Sequence, residues 1–296
     1  MSHITVLLHE VIDGLALHDN AVVLDCTING GGHSEAIAVA LKGSVRIIGL
    51  DADAGAIGRA RERLSHYGAR VDLVQKNFRK LDEALRECGL TSVDAILFDL
   101  GFSSNQLEES GRGFSFQKDE PLRMTFKENP SEEDLTARDV VNNWDQENIA
   151  EILRGFGGER YAERISRAIV AAREVRPIET TGDLVAIISG AAPRGRGKIN
   201  PATKTFQALR IAVNDEVGAL KEALPKAFAA LRAGGRMAVI SFHSLEDRIV
   251  KQFFRERENE GIAVRQTKKP IVAGREEVLG NPRARSAKLR ILQKIG

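Results

Sequence analysis

Cysteine, tryptophan and tyrosine are scarce in this chain of 296 residues, which holds two Cys, one Trp and two Tyr. Cys26 and Cys88 lack CxxC or Cys/His spacing, which excludes a zinc module, a redox pair and a disulfide framework; both read as packing residues. No metal is expected. No apolar run approaches the roughly 20 residues that span a bilayer, and the opening MSHITVLLHEV lacks a basic stretch followed by a long apolar one. The expected compartment is the cytoplasm, with no membrane partner. Internal repeats and low-complexity segments are also missing. A net charge of only +2 excludes a uniformly basic or acidic protein.

What is present is an ordinary globular composition, 43% hydrophobic and 28% charged, long enough for one large domain or two unequal ones. The first third alternates β-rich runs at 21–26, 46–51, 71–75 and 94–99 with helical patterns at 34–41, 54–65 and 81–88. That rhythm predicts an α/β parallel sheet with helices on both faces, and a ligand beyond the carboxyl ends of its strands. The organising stretch is AVVLDCTINGGGHSEAIAVAL at 21–41, a strand, a turn holding Gly30, Gly31 and Gly32, and a helix. Glycine lets backbone approach a ligand, and the helix start offers unpaired N–H groups.

The rhythm stops after Asp99. From 105 to 199 only helical signals recur, with Asp145 and Thr181 as expected N-caps, so a helical insertion is expected there. Asn200 and Pro201 open a long helical region to Leu231, with a break expected at Pro225 and an end at Gly234 and Gly235. RMAVISF at 236–242, a helix at 245–257 and strands near 263–267 and 288–293 complete the sheet domain. Two segments are basic. Residues 189–210 carry five Lys or Arg and no acid, and 265–296 carry nine against two acids, which points to a polyanionic partner.

Asp25, Asp51 and Asp99 close three of the expected strands. Glu35 stands where a G-x-G-x-x-G motif needs its third glycine, which weakens a nicotinamide-dinucleotide reading. Asp51, 19 residues beyond Gly32, suits a ribose diol in NAD and S-adenosylmethionine alike. Phe78, after the third strand, can pack on an adenine or serve as ordinary core. FDLGFSSNQL places Asp99 before a glycine turn, where the substrate of a methyl transfer would meet the sulfonium.

The segments HITVLLHEV, LDCTINGGGHS, LFDLGFSSNQL, RGFSF, RPIETTGDL, NPATKTFQALRIAVNDE and GGRMAVISFHSLEDRIVKQFF together resemble the ribosomal RNA small subunit methyltransferase H family over nearly the whole chain. The resemblance implies a class I S-adenosylmethionine-dependent methyltransferase sheet domain (1–104 and 200–296) with an inserted all-helical substrate-recognition domain (105–199). It also implies transfer to the exocyclic N4 of a decoding-centre cytidine in bacterial 16S rRNA within the small ribosomal subunit, with a homodimer left open. Its cofactor contacts fall on Gly31, Gly32, His33, Asp51, Phe78, Asp99 and Gln106; His33 and Gln106 come mainly from the resemblance. The chain departs from the family pattern at Thr5, at Asn200 and at Arg123, where an Asp is usual.

Cytosine N4 is a poor nucleophile, so the expected task is positioning, with Asp99 as the acceptor that grips the amine in a direct transfer. His243 and Ser244 are second-choice substrate contacts, Phe102, Phe114 and Phe242 are candidates for stacking, and Arg283 and Arg285 are expected on RNA phosphates. Two other classes stay open: a nicotinamide-dependent oxidoreductase and a non-catalytic RNA-binding assembly factor that keeps a cofactor pocket.

Overall fold

Short apolar runs, too brief for helices and rich in Val, Ile and Leu, become the strands of a seven-stranded sheet. The computed structural model describes residues 5–67, 70–101, 111–127, 130–192 and 200–296. Strands β1 (Ala21–Asp25), β2 (Val45–Asp51), β3 (Arg70–Gln75), β4 (Val93–Asp99), β5 (Leu231–Ser241), β6 (Ala263–Arg265) and β7 (Lys288–Lys294) are ordered β3-β2-β1-β4-β5-β7-β6. The first five pair in parallel, and β7 lies antiparallel between β5 and β6. This departs from the 3-2-1-4-5-6 order of a dinucleotide-binding sheet by the antiparallel strand.

Helices α1 (Leu8–Leu15), α2 (Gly32–Ala40), α3 (Ala54–Leu64) and α4 (Leu81–Glu87) lie among the first strands. After β4 come α5 (Ala137–Asn143), α6 (Gln146–Gly155), α7 (Ala162–Arg173), α8 (Thr181–Ala191) and α9 (Ala202–Val213), then α10 (Glu216–Ala230), α11 (Ser244–Asn259) and α12 (Arg275–Gly280). Alternate residues of each central strand enter opposite cores. Leu24, Ile48, Ile96, Phe98 and Val239 pack with α4, α10 and α11, whereas Val23, Ile47, Ala95, Leu97 and Ile240 pack with α1 and α2. Burying both faces explains why these strands read as continuous apolar runs.

By packing, the chain divides into Met1–Phe102 with Val217–Gly296, and Ser103–Glu216. The second unit is built on α5 to α9 around Val140, Ile149, Leu153, Ile165, Ile169, Leu184 and Ile188. Helix α9 belongs to it, because Phe206, Ala208 and Leu209 are buried in that core. The expected return to the sheet domain at Asn200 therefore comes, by packing, only after Glu216.

Several local expectations differ. Thr180 rather than Thr181 caps α8, accepting from Asp183 N in a reciprocal capping box, whereas Asp145 does cap α6 as expected, without a side-chain bond. The helical region breaks at Asn214 and Asp215, not at Pro225, which sits within α10. Pro225 is exposed, so the carbonyl it leaves without an N–H partner faces water. Gly234 and Gly235 lie inside β5, where its register with β4 shifts; Gly234 has φ +80°, and a Cβ on Gly235 would meet the Asp94 carbonyl oxygen at 2.7 Å. No described helix is long and apolar enough to cross a membrane.

Candidate active site

The carboxyl ends of β2, β1, β4 and β5 stand side by side, and they carry Asp51, Asp25, Asp99 and Ser241. Between β1 and β4 the chain switches from one side of the sheet to the other, where such a sheet opens a crevice. The turn after β1 is tied to both neighbours. Cys26 N donates to the Leu97 carbonyl at 2.9 Å and Ile28 N to the Leu50 carbonyl at 2.8 Å. Asn29 N donates to Asp51 Oδ2 at 3.0 Å, and Asp99 N donates to the Thr27 hydroxyl oxygen at 2.6 Å. The glycine turn is thus pinned between the Asp51 carboxylate and the backbone N–H of Asp99.

Gly31 begins α2 in the left-handed region, φ +78°, which explains glycine there. Gly32 is needed for space instead, since a Cβ would lie 2.2 Å from Thr5 Oγ1. The first turn of α2 then places Ser34 under the turn, where its hydroxyl donates to Asp25 Oδ2 at 2.7 Å. His33 is buried, with Nε2 at 3.0 Å from the Val6 carbonyl oxygen and Nδ1 at 3.6 Å from Asp99 Oδ2.

Burial dominates the electrostatics. It lifts Asp25 to about 6, against the hydrogen bonds from Ser34 and Thr27, and lifts Asp51 to about 6, against the N–H groups of Asp53 and Asn29. Asp99 is pushed to about 8, first by burial and then by the charges of Asp25 and Glu246. Asp99 Oδ1 is buried and has no hydrogen-bond partner among the described residues. A polar atom kept dry and unpaired at a strand end is costly, and a ligand donor would satisfy it.

A family model described as the MraW methylase family matches residues 1–295. The chain belongs to that family. A ribosomal RNA small subunit methyltransferase H from Heliobacterium modesticaldum is 49% identical over 312 residues, covering 99% of this chain and 98% of the relative. The same-named protein of Paenibacillus sp. is 46% identical over 316 residues, covering 99% of each. An rRNA methylase structure from Streptococcus thermophilus covers all of both chains at 13% identity and a TM-score of 0.47, too distant to add to the assignment. The protein is an enzyme, a methyltransferase dependent on S-adenosylmethionine with a class I α/β sheet, and the oxidoreductase alternative falls away.

Other candidates of this MraW-family chain are placed unevenly. Phe78 opens a short 3-10 turn after β3 and meets Phe98 edge-on at 5.8 Å, so it is partly core. Gln106 and Phe102 lie outside the described residues. Phe114 is buried and stacked on Phe126 in the helical unit, Phe242 is half-buried, and Arg123 is exposed. His243 caps α11: its Nδ1 accepts from Glu246 N at 3.4 Å, and Glu246 Oε2 accepts from the N–H groups of Phe242 and His243. Ser244 is exposed at the helix start.

The basic C-terminal segment is partly spent on the fold. Lys288 and Arg290 pair with Asp247, Arg265 pairs with Glu258, and Lys294 donates to the carbonyls of Phe228, Ala229 and Leu231. Lys268, Lys269, Arg275 and Arg285 are exposed, and Arg283 is half-buried. Sequence reasoning missed Asp25–Ser34, Glu246 and Thr27 as parts of the site. Asp25 was visible at its strand end, but nothing in the pattern paired it with Ser34.

Proposed function

We propose that this methyltransferase acts on the exocyclic N4 amine of a decoding-centre cytidine in 16S rRNA of the small ribosomal subunit, in the cytoplasm. The observation that carries the reading is the buried Asp99 Oδ1, without a hydrogen-bond partner among the described residues, beside the pinned glycine turn. The names of the full-length relatives support the RNA substrate.

The residues present suit S-adenosylmethionine. The acidic groups of buried Asp25 and Asp99 and half-buried Asp51 favour a ligand with a sulfonium and an ammonium over a pyrophosphate, and the α2 N-terminus favours the ligand's carboxylate. In this reading Gly31, Gly32 and His33 hold the amino-acid end, Asp51 the ribose hydroxyls and Phe78 the adenine, with Gln106 completing the set. Bound there, the cofactor supplies a methyl group already activated by its positive sulfur.

The protein's work is then positional. Asp99 Oδ1 accepts a hydrogen bond from the N4 amine, turning its lone pair toward the methyl and offsetting the charge that grows on nitrogen. The low exposure of Asp99 keeps water from competing for that bond. Neither cysteine takes part: Cys26 is buried, with its thiol pushed well up by burial, and Cys88 is half-buried. His243 and Ser244 are the proposed contacts to the substrate nucleotide, with Ser244 the more accessible. Arg283 and Arg285 meet RNA phosphates, and the helical unit recognises the substrate.

Deleting the gene should remove one N4-methylated cytidine from 16S rRNA, read by nucleoside mass spectrometry. The wild-type gene should restore it and Asp99→Asn should not. An unchanged nucleoside profile after deletion would sink the proposal.

A further inference from the structure

A carbonyl oxygen can only accept, so the 3.0 Å contact between Val6 O and His33 Nε2 places the ring hydrogen on Nε2. The other nitrogen, Nδ1, then turns a lone pair toward Asp99 Oδ2 at 3.6 Å. A carboxylate facing a lone pair would be repelled. The contact is attractive only when one proton sits between the two groups, and the raised affinity of Asp99 keeps that proton in place through neutral pH. A separation of 3.6 Å is long for a hydrogen bond, as catalytic bonds often are before the substrate complex tightens them. Asp99 Oδ1, the oxygen without a partner among the described residues, is left for the substrate.

Resting on the N4-methylation reading above, we infer that Asp99 and His33 form a proton relay in which Asp99 Oδ1 takes the proton that N4 sheds while Asp99 Oδ2 passes its own to His33 Nδ1. The step balances. The new N4–carbon bond forms as the methyl–sulfur bond breaks, its electron pair staying on sulfur. The cationic N4 loses a proton to Oδ1, and the Oδ2 proton moves to Nδ1. Asp99 ends as a carboxylic acid with its hydrogen on the other oxygen, so no charge is left on it. His33 ends as an imidazolium facing Asp99 from α2, in a pocket where Asp25 on β1 and Glu246 on α11 are the acidic groups acting on Asp99. Their negative potential stabilises that cation, and Nε2–H keeps its bond to Val6. The raised proton affinity of Asp99, a handicap for a simple carboxylate base, becomes what makes the relay work. In this step His33 acts through Asp99 and is a positioning residue.

Single-turnover methyl transfer with saturating cofactor, followed against pH, tests this. The parent rate should be flat between about pH 7 and 9, because the relay needs no prior ionisation of Asp99. In His33→Asn the last station is missing, so Asp99 can take the proton only after losing its own. With cofactor raised to saturation for each protein, the variant should be about tenfold slow near pH 7 and recover toward the parent as pH rises past about 8. A flat profile at the parent rate, or a loss equal at every pH, overturns the relay alone. A parent enzyme that places no label on N4 overturns the functional reading and the relay with it. Should the variant not fold, 15N spectra of the histidine-labelled parent decide: His33 protonated at Nε2 and bare at Nδ1 supports the relay, and the opposite tautomer overturns it.

Discussion

Asn29 donates its backbone N–H to Asp51 Oδ2 at 3.0 Å, while Asp53 N–H holds the other oxygen at 2.9 Å. The carboxylate is therefore oriented before binding, with lone pairs left over for a diol. Asp51→Ala removes the acceptor and frees the turn. Calorimetry should show S-adenosylmethionine binding weakened by roughly 10- to 100-fold, the worth of one charge-assisted hydrogen bond or slightly more. Unchanged affinity would remove Asp51 from the cofactor site.

Gly31 and Gly32 should fail for different reasons. Gly31→Ala forces a side chain into φ +78°, costing roughly 1–2 kcal/mol that no neighbour can relieve. Gly32→Ala collides with Thr5 Oγ1, so adding Thr5→Ala should recover much of its lost stability and cofactor affinity. A double-mutant cycle by thermal melting checks this. Additive effects for Gly32 with Thr5 would contradict the contact.

Asp99 makes the ligand-free protein pay for its site. Its carboxyl has a folded value of about 8 against an unfolded one near 3.8, so the folded state holds the proton more tightly. The stabilisation this gives is full below about 4 and is lost as pH rises toward 8. Asp99→Asn should therefore melt close to the parent near pH 4 and progressively higher than it as pH approaches 8, by about 2–4 °C for each kcal/mol gained. A difference in melting temperature that does not vary with pH would show that Asp99 ionises normally. Activity should fall by about 100-fold or more in the same variant, with cofactor still bound.

Arg285 and Arg290 lie five residues apart in sequence and should behave oppositely. Arg285 is exposed, and replacing it with Ala should flatten the salt dependence of RNA affinity by about 0.7 to 0.9 in log–log slope without altering melting. Arg290 is buried against Asp247 at 2.7 Å, and its removal should cost roughly 3 kcal/mol of stability by leaving that carboxylate half-paired. A swap of these outcomes would reassign the RNA face.

Much of the frame was legible because both cores demand it. Strands buried on two faces cannot hide their apolar runs, and Asp25, Asp51 and Asp99 stood out as the polar residues that stop them. Pairings across long sequence distances were not legible. Asp99 with His33, Arg290 with Asp247 and Lys294 with the α10 carbonyls depend on how the strands align, so charge that reads as an RNA surface is partly internal wiring. The place of α9 was hidden for the same reason: a Phe206–Leu209 stripe says that a helix is buried, not against what. Pro225 and the Gly234–Gly235 pair misled because exposure and a strand bulge tolerate what a helix interior or a helix end would explain equally well.

Transfer of labelled methyl from S-adenosylmethionine to small ribosomal subunits from cells lacking this protein tests the central claim most directly. The label should appear as N4-methylated cytidine at a single decoding-centre position, and should be almost absent with Asp99→Asn at equal cofactor occupancy. Label on another atom or nucleotide, or full transfer by Asp99→Asn, would contradict the account.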